Sequence, residues 1–359
     1  RDAAARYVRA AAALDRGGRA GIDAATDVDV DAAFDLRRRA TACVLSAGDI
    51  DRGNALLQEL VAHVGMDFPR DTRLELVKAV VDLVRVRVFP PAPRIVRQND
   101  VAPAVRKRAL LAQTIGTGFF LLRPAYGNFA WRALIRVIDE PCDEFVLAIE
   151  RIFRASMKAA LGATRDELDD DLRVVSTYIA NIDDPEQRQW VSDRCALSLL
   201  LASRYADAVA WLDRASSSAA KAKQWSHENF DAHIWRLVCL DRLGRFRELR
   251  AEVPRLTLEA ERRGNHLAQL FFSSGYASGA WLAADAPDQA AAALAAAVAH
   301  FDLEHVPYLR IYELQTLVRT AAYEGRASSS WSSLDRRHES LVRDPALRLS
   351  RGAAANFHH

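Results

Sequence analysis

LASRYADAVAWLDRA, residues 201–215, is the stretch whose reading decides the fold. Take Ser203 as a turn and count forward. Offsets +2, +5, +9 and +12 give Tyr205, Ala208, Leu212 and Ala215. The same offsets from Gly48 in SAGDIDRGNALLQEL (46–60) give Ile50, Gly53, Leu57 and Leu60, and from Gly244 in RLGRFRELRAEVPRL (242–256) they give Phe246, Leu249, Val253 and Leu256. From Asp285 they give Pro287, Ala290, Leu294 and Ala297; from Gly325, less sharply, Ala327, Ser330, Leu334 and Arg337. A residue that tolerates a tight turn closes one helix. The +2 residue plugs the corner, and steps of four and three keep the later positions on one face of a second helix. A small residue at +5 lets that helix approach its neighbour. Leu36, Ala40, Cys43, Val44 and Ala47 before Gly48, and Leu237, Leu240 and Leu243 before Gly244, place an amphipathic helix ahead of the turn as well.

The turns recur at a near-constant interval: 41 residues from Ser203 to Gly244, 41 to Asp285 and 40 to Gly325. Gly48 lies 155 residues before Ser203, close to four such steps. A fixed period in this range marks a stacked array, because one helical hairpin cannot bury its own apolar face. The expected fold is therefore all-α: an α-solenoid of stacked helical hairpins in a right-handed superhelix. Residues 1–84 are expected to form N-terminal hairpins, 85–190 irregular central repeats with a Pro-rich connection, and 191–359 C-terminal repeats of about 40 residues.

The central stretch departs from the pattern. VRVRVF (84–89) alternates like a strand, but it continues LELVKAVVDL with no turn signal, so a helix ending at Pro90–Pro91 is expected. RVRVFPPAPRIVRQNDVAPAVRKRALL carries Arg85, Arg87, Arg94, Arg97, Arg106, Lys107 and Arg108 against Asp100 alone. It reads as a broken connection leading into a buried helix pair, with a basic recognition surface as the competing reading. Thr164, three residues before Glu167, has the spacing of a capping box.

Lys plus Arg is 49 and Asp plus Glu 47, for a net charge of +2 in 359 residues. Bulk charge thus gives no drive toward nucleic acid. No apolar run reaches the roughly 20 residues of a membrane span. Cys43, Cys142, Cys195 and Cys239 are far apart and form no CxxC pair, which argues against structural zinc or a redox pair and fits a reducing, cytoplasmic compartment. RDAAARYVRAAAAL opens without Met and in helical rhythm, as expected of a piece of a longer protein.

The hairpins resemble tetratricopeptide repeats, which place Gly, Tyr, Ala and a large apolar residue at about these offsets; Tyr205, Ala208 and Leu212 carry the likeness best. The longer period implies elongated, degenerate units. FDLRRRATACVLSAGDIDRGNALLQELVAHVGMDFPRDTR (34–73) looks like a segment of the C-terminal halves of large bacterial serine/threonine protein kinases, in which a kinase domain and an ATPase-like module precede a helical-repeat tail. NFAWRALIRVIDEPCDEFVLAIE (128–150) and LVRDPALRLSRGAAA (341–355) are similar to later parts of such tails. The chain itself has no Gly-rich loop followed by Val, no HRD, DFG or APE, and no Walker A loop. GTGFF (116–120) lacks the third glycine. The resemblance therefore implies a non-enzymatic segment whose parent carries its kinase domain before residue 1.

Candidate chemistry is sparse. HENFDAHIW (227–235) begins like HExxH, but Asp231 stands where the second His is needed, so the region reads as a helix start capped by Ser226, with Trp235 in the core. Cys142 in DEPCDEF sits among carboxylates that raise a thiol pKa and oppose nucleophilic use. The tryptophans read as core. The expected role is a non-catalytic interaction or regulatory region, without cofactor or metal. It would hold a protein or peptide partner, or a second copy, in a groove to which Trp190, Asp193, Asp231, Tyr312, Gln315 and Arg319 are assigned. The alternative is a small-ligand-sensing regulatory solenoid of a signalling ATPase or transcription regulator. A helical metalloenzyme around His227–His233 is the third reading.

Overall fold

The computed structural model describes residues 2–20, 27–68, 72–89, 93–116, 124–219, 230–303 and 306–342. The Ser226–Glu228 helix start, the GTGFF run beyond Gly116 and the 341–355 likeness beyond Val342 lie outside them. The chain is all-α. Its helices are α1 (Asp2–Ala20), α2 (Asp27–Ser46), α3 (Ile50–His63), α4 (Thr72–Val88), α5 (Pro103–Thr114), α6 (Pro124–Ile135), α7 (Glu144–Ala160), α8 (Arg165–Asn181) and α9 (Pro185–Leu201). They continue with α10 (Tyr205–Ala219), α11 (Phe230–Arg242), α12 (Phe246–Arg262), α13 (His266–Ser273), α14 (Gly279–Leu282), α15 (Pro287–Val298), α16 (Pro307–Tyr323) and α17 (Ala327–Val342). Among the described residues, β-type pairing is limited to an isolated parallel bridge between Ile95 and Cys142. No described helix is long and apolar enough to cross a membrane.

The turns inferred from the sequence are the turns of the structure. Gly48, Gly244 and Gly325 have φ of 81°, 67° and 70°, and Ser203 and Asp285 have φ of 59° and 56°. Each zero position is therefore left-handed, and each +2 residue opens the next helix: Ile50, Tyr205, Phe246, Pro287 and Ala327. The backbone closes each turn in one way. The Ser203 N–H donates to Leu200 O at 2.9 Å and the Arg204 N–H to Leu199 O at 2.8 Å. Gly244 and Arg245 do the same to Asp241 and Leu240, and Asp285 and Ala286 to Leu282 and Trp281. This double bond satisfies carbonyls that a helix end otherwise leaves open. Gly65, Gly162 and Gly264, where the count did not look, carry the same cap.

The faces agree as well. Leu57, Leu60, Ala208, Leu212, Leu249, Val253, Leu256, Ala290, Leu294 and Ala297 are all buried. Gly53 shows why +5 favours a small residue: a Cβ there would meet Leu45 Cβ at 3.6 Å, which brings α3 close to α2. The capping box also forms, with Thr164 N–H donating to Glu167 Oε2 at 3.0 Å and Glu167 N–H to Thr164 Oγ1 at 3.3 Å.

These caps can be tested. A Cβ at Gly264 would meet nothing within 4 Å, so Gly264→Ala isolates the cost of a left-handed backbone. It should lose about 1 kcal/mol, whereas Ser203→Gly should gain a fraction of that. Urea midpoints of the two variants check the opposite signs.

The chain forms two compact units. One is Arg1–Ala155 with Asp169–Val191, the other Ser156–Leu168 with Ser192–His359. In the first unit α2 packs on α1, α3 and α5, and α6 packs on α5 and α4. Helix α4 runs unbroken to Val88, so VRVRVF is helical as expected. After the prolines, residues 94–96 lie along Cys142: Val96 N–H donates to Cys142 O and Cys142 N–H to Arg94 O, each at 3.0 Å. Helix α5 then buries Val105, Ala109, Leu111 and Ala112. In the second unit each helix packs mainly on those next to it, or next but one, in the sequence: α10 on α11, α11 on α12 and α13, α13 on α15, α15 on α16, α16 on α17.

Candidate interaction site

Of the six residues assigned to a groove, three are interior. Trp190 is sealed in the first unit: its ring centroid is 6.4 Å from that of Phe153, and a Cβ on Gly116 would stand 2.7 Å from its indole. Asp193 and Asp231 are buried in the second unit, where Arg194 on α9 donates to Asp231 on α11. These positions have helical spacing but point into the packing, where ion pairing offsets the loss of water. They do not line an accessible wall.

Tyr312, Gln315 and Arg319, on one face of α16, do come together, at a break in the preceding helix. The α13 helix is capped by Asn265, whose Oδ1 accepts from Ala268 N–H at 2.9 Å, and it stops at Ser274, which is extended (φ −133°, ψ 176°). Gly275 is left-handed (φ 56°), a 3₁₀ turn spans Gly275–Ser278, and α14 follows. The next hairpin fills the break. The Thr316 hydroxyl accepts from Gly275 N–H at 2.7 Å, and Arg319 Nη1 donates to Gly275 O and Tyr276 O at 3.4 Å. Arg319 Nη2 reaches past it to Asp241 Oδ1 on α11 at 2.6 Å. The Tyr276 hydroxyl accepts from Arg242 at 3.0 Å and from Gln315 at 3.4 Å, with the Arg242 guanidinium 4.9 Å from its ring centre. Burial raises the pKa of the Tyr276 hydroxyl, so it stays a neutral hydrogen-bonding group. Two glycines make this possible. A Cβ at Gly275 would stand 2.9 Å from Tyr312 Cδ1, and one at Gly279 would stand 2.4 Å from Asp241 Oδ1. Sequence reasoning missed the break, although SSG inside an aromatic run (FFSSGYASGAW, 271–281) was its signal.

Among the described residues no three His, Cys, Asp or Glu converge to hold a metal. His233 lies edge-on to Phe272, centroids 6.4 Å apart, and burial, then Arg255 and Arg236, pull its pKa down from 6.5 to about 4. It is neutral in the folded chain at pH 7. Stability present above pH 6.5 is therefore lost as pH falls toward 4, because only the unfolded chain takes up the proton readily. The loss attributable to this partly accessible ring is about 1–3 kcal/mol. His233→Phe should flatten the pH–stability curve across that window, read by urea titration at pH 7 and pH 4.5.

The four cysteines are unbridged. Burial first, then Asp143, Glu140 and Asp139, push the Cys142 thiol up to about 12, the direction expected from its carboxylate neighbours. Trp131, Trp190 and Trp235 are core, as expected.

One cleft of about 360 Å³ opens in the first unit, lined among others by Arg97, Gln98, Asn99, Asp143, Asn181 and Gln187. Family models, curated proteins and solved structures yield no match to this chain.

Proposed function

We propose that the chain is a non-catalytic interaction module. In this reading its hairpins stack as a right-handed, tetratricopeptide-like α-solenoid that holds a protein or peptide partner, as part of the C-terminal region of a bacterial-type serine/threonine kinase. One observation carries the reading. Four turns 40 or 41 residues apart, and a fifth at Gly48, share a left-handed cap, and from four of the five the +5, +9 and +12 residues are all buried. In the second unit, packing mainly between helices next or next but one in the sequence supports it, because a stacked array buries each unit chiefly against the next. Tyr312, Gln315 and Arg319 serve in this reading as a clamp between hairpins. Asp241, three residues before the Gly244 turn, and Arg319, six before the Gly325 turn, hold nearly equivalent places in hairpins two periods apart, joined across the broken one between them.

Removing residues 1–359 from the parent polypeptide should leave phosphoryl transfer intact and abolish capture of its partner. Capture that survives the deletion removes the reading. The second reading, a small-ligand sensor, is favoured by the cleft, whose volume suits a small polar molecule. A ligand-dependent rise in melting temperature with no protein partner present would select it.

A further inference from the structure

Helix α4 is turned inside out. Leu74, Val77, Val81, Val84 and Val88 are 51%, 59%, 59%, 56% and 59% exposed, while Glu75, Ala79 and Val86 are buried. The inward charges are held by Arg132 of α6, whose Nη1 donates to Glu75 Oε2 at 2.6 Å and whose Nε donates to Asp82 Oδ2 at 2.8 Å. The exposed positions are spaced three, four, three and four residues apart, the seam of a coiled coil rather than the broad stripe of a core-facing helix. Val80 widens the seam at 48% exposure and Phe89 extends it at 73%. A monomer rarely leaves a continuous apolar strip of this kind open to water.

The rim defines what covers it. Both carboxylates that α4 shows toward the protein are engaged by Arg132. Along the seam stand Lys78, paired with Glu75 at 2.8 Å, and Arg85, which has no partner among the described residues. Arg94 and Arg97 are exposed in the segment that follows. A second copy laid antiparallel on α4 would bring Lys78 and Arg85 against their own equivalents. We propose that α4 is the docking strip for an amphipathic helix of a partner protein, with apolar residues at three-four spacing and acidic residues along the flank that meets Lys78 and Arg85. The 17-residue helix offers it about 25 Å of contact. Partner choice follows from the flanking charges, as in paired coiled-coil strands. The proposal deepens the interaction reading and is independent of how the C-terminal hairpins stack.

The test uses the full chain and two synthetic three-heptad helices with Leu in the seam, one with Glu and one with Lys at the flanks, followed by fluorescence anisotropy. The acidic peptide should bind at least about tenfold more tightly than the basic one and weaken with salt. Val81→Asp should abolish binding with no change in melting temperature, and Arg85→Glu should narrow or reverse the preference. Equal binding of the two peptides, or binding that survives Val81→Asp, overturns the proposal. So does a dimer that Val81→Asp dissolves, since a second copy then covers the strip. Co-sedimentation with anionic phosphatidylserine vesicles, lost in Val81→Asp and without peptide binding, overturns it in favour of a membrane surface. If neither peptide binds while the chain still captures the parent's partner, this proposal fails and the interaction reading stands.

Discussion

Arg132→Ala should destabilise the first unit by about 3–5 kcal/mol, the usual penalty for removing one partner of a buried ion pair. The guanidinium is buried, Glu75 is buried with it and Asp82 nearly so. Removing it takes the shared cation from both carboxylates and leaves Glu75 with Lys78 alone, at 2.8 Å. Among the described side chains, the outward side of α4 is the exposed seam, and its inward side buries Ala79 and Val86 beside the acids, with Leu83 half-buried. Arg132→Lys keeps the charge but cannot fork to both carboxylates, so it should recover only part of the loss. Arg132→Met should recover almost none, because it restores volume without charge. Amide exchange along residues 74–88 is the suitable readout: the chain has two compact units, and one global midpoint would blend them. If Arg132→Ala costs less than about 1 kcal/mol, the pair behaves as a surface bridge and α4 is held by something else.

The same helix shows where sequence reading stops. That residues 72–88 are helical was legible, because no turn residue interrupts the run and the prolines follow at once. Which side faces inward was not. A hydrophobic period reports a stripe, and the default is to point it at the core. Here Arg132, 50 and 57 residues away, reverses the default by binding the polar side. The groove residues failed for a related reason. Spacing on α9 and α11 gives the angle of Asp193 and Asp231 around their helices, but not whether a cation waits opposite, and Arg194 is 37 residues from Asp231.

Turns were the most legible feature. A left-handed cap needs a residue that tolerates positive φ, followed at fixed distance by small and large apolar residues. Ser203 and Asp285 could not have been found by residue type alone, since neither is the glycine such a cap prefers. The register of the faces found them. Gly65 and Gly264 escaped because the counted turns lie between the two helices of a hairpin, whereas these follow the second helix; Gly162, 41 residues before Ser203, keeps the interval, but its +5 and +9 residues are Glu167 and Asp171, so the apolar register did not mark it.

Asp231→Ala should cost about 3–5 kcal/mol in the second unit, and Arg194→Leu should cost more. The asymmetry follows from Asp193. Its negative charge acts on Arg194, so losing Asp231 leaves the guanidinium partly compensated, while losing Arg194 takes a cation from two buried carboxylates at once. The pair joins α9 to α11, the first helices of the Ser203 and Gly244 hairpins. Two hairpins beyond the Gly244 hairpin, Arg319 links back to Asp241 past the backbone at Gly275 and Gly279, where no side chain intervenes. Polar residues in these first helices thus tie each hairpin to another at a set register, while apolar residues fill the space between. If register is their role, Asp231→Leu combined with Arg194→Met should restore most of the stability that either single change loses, since a packed apolar pair needs no desolvation of charge. A double-mutant cycle would then give a coupling of at least about 2 kcal/mol. A double variant as unstable as the worse single one would mean that the charges themselves hold these hairpins together, and that apolar packing between α9 and α11 is too weak to replace them.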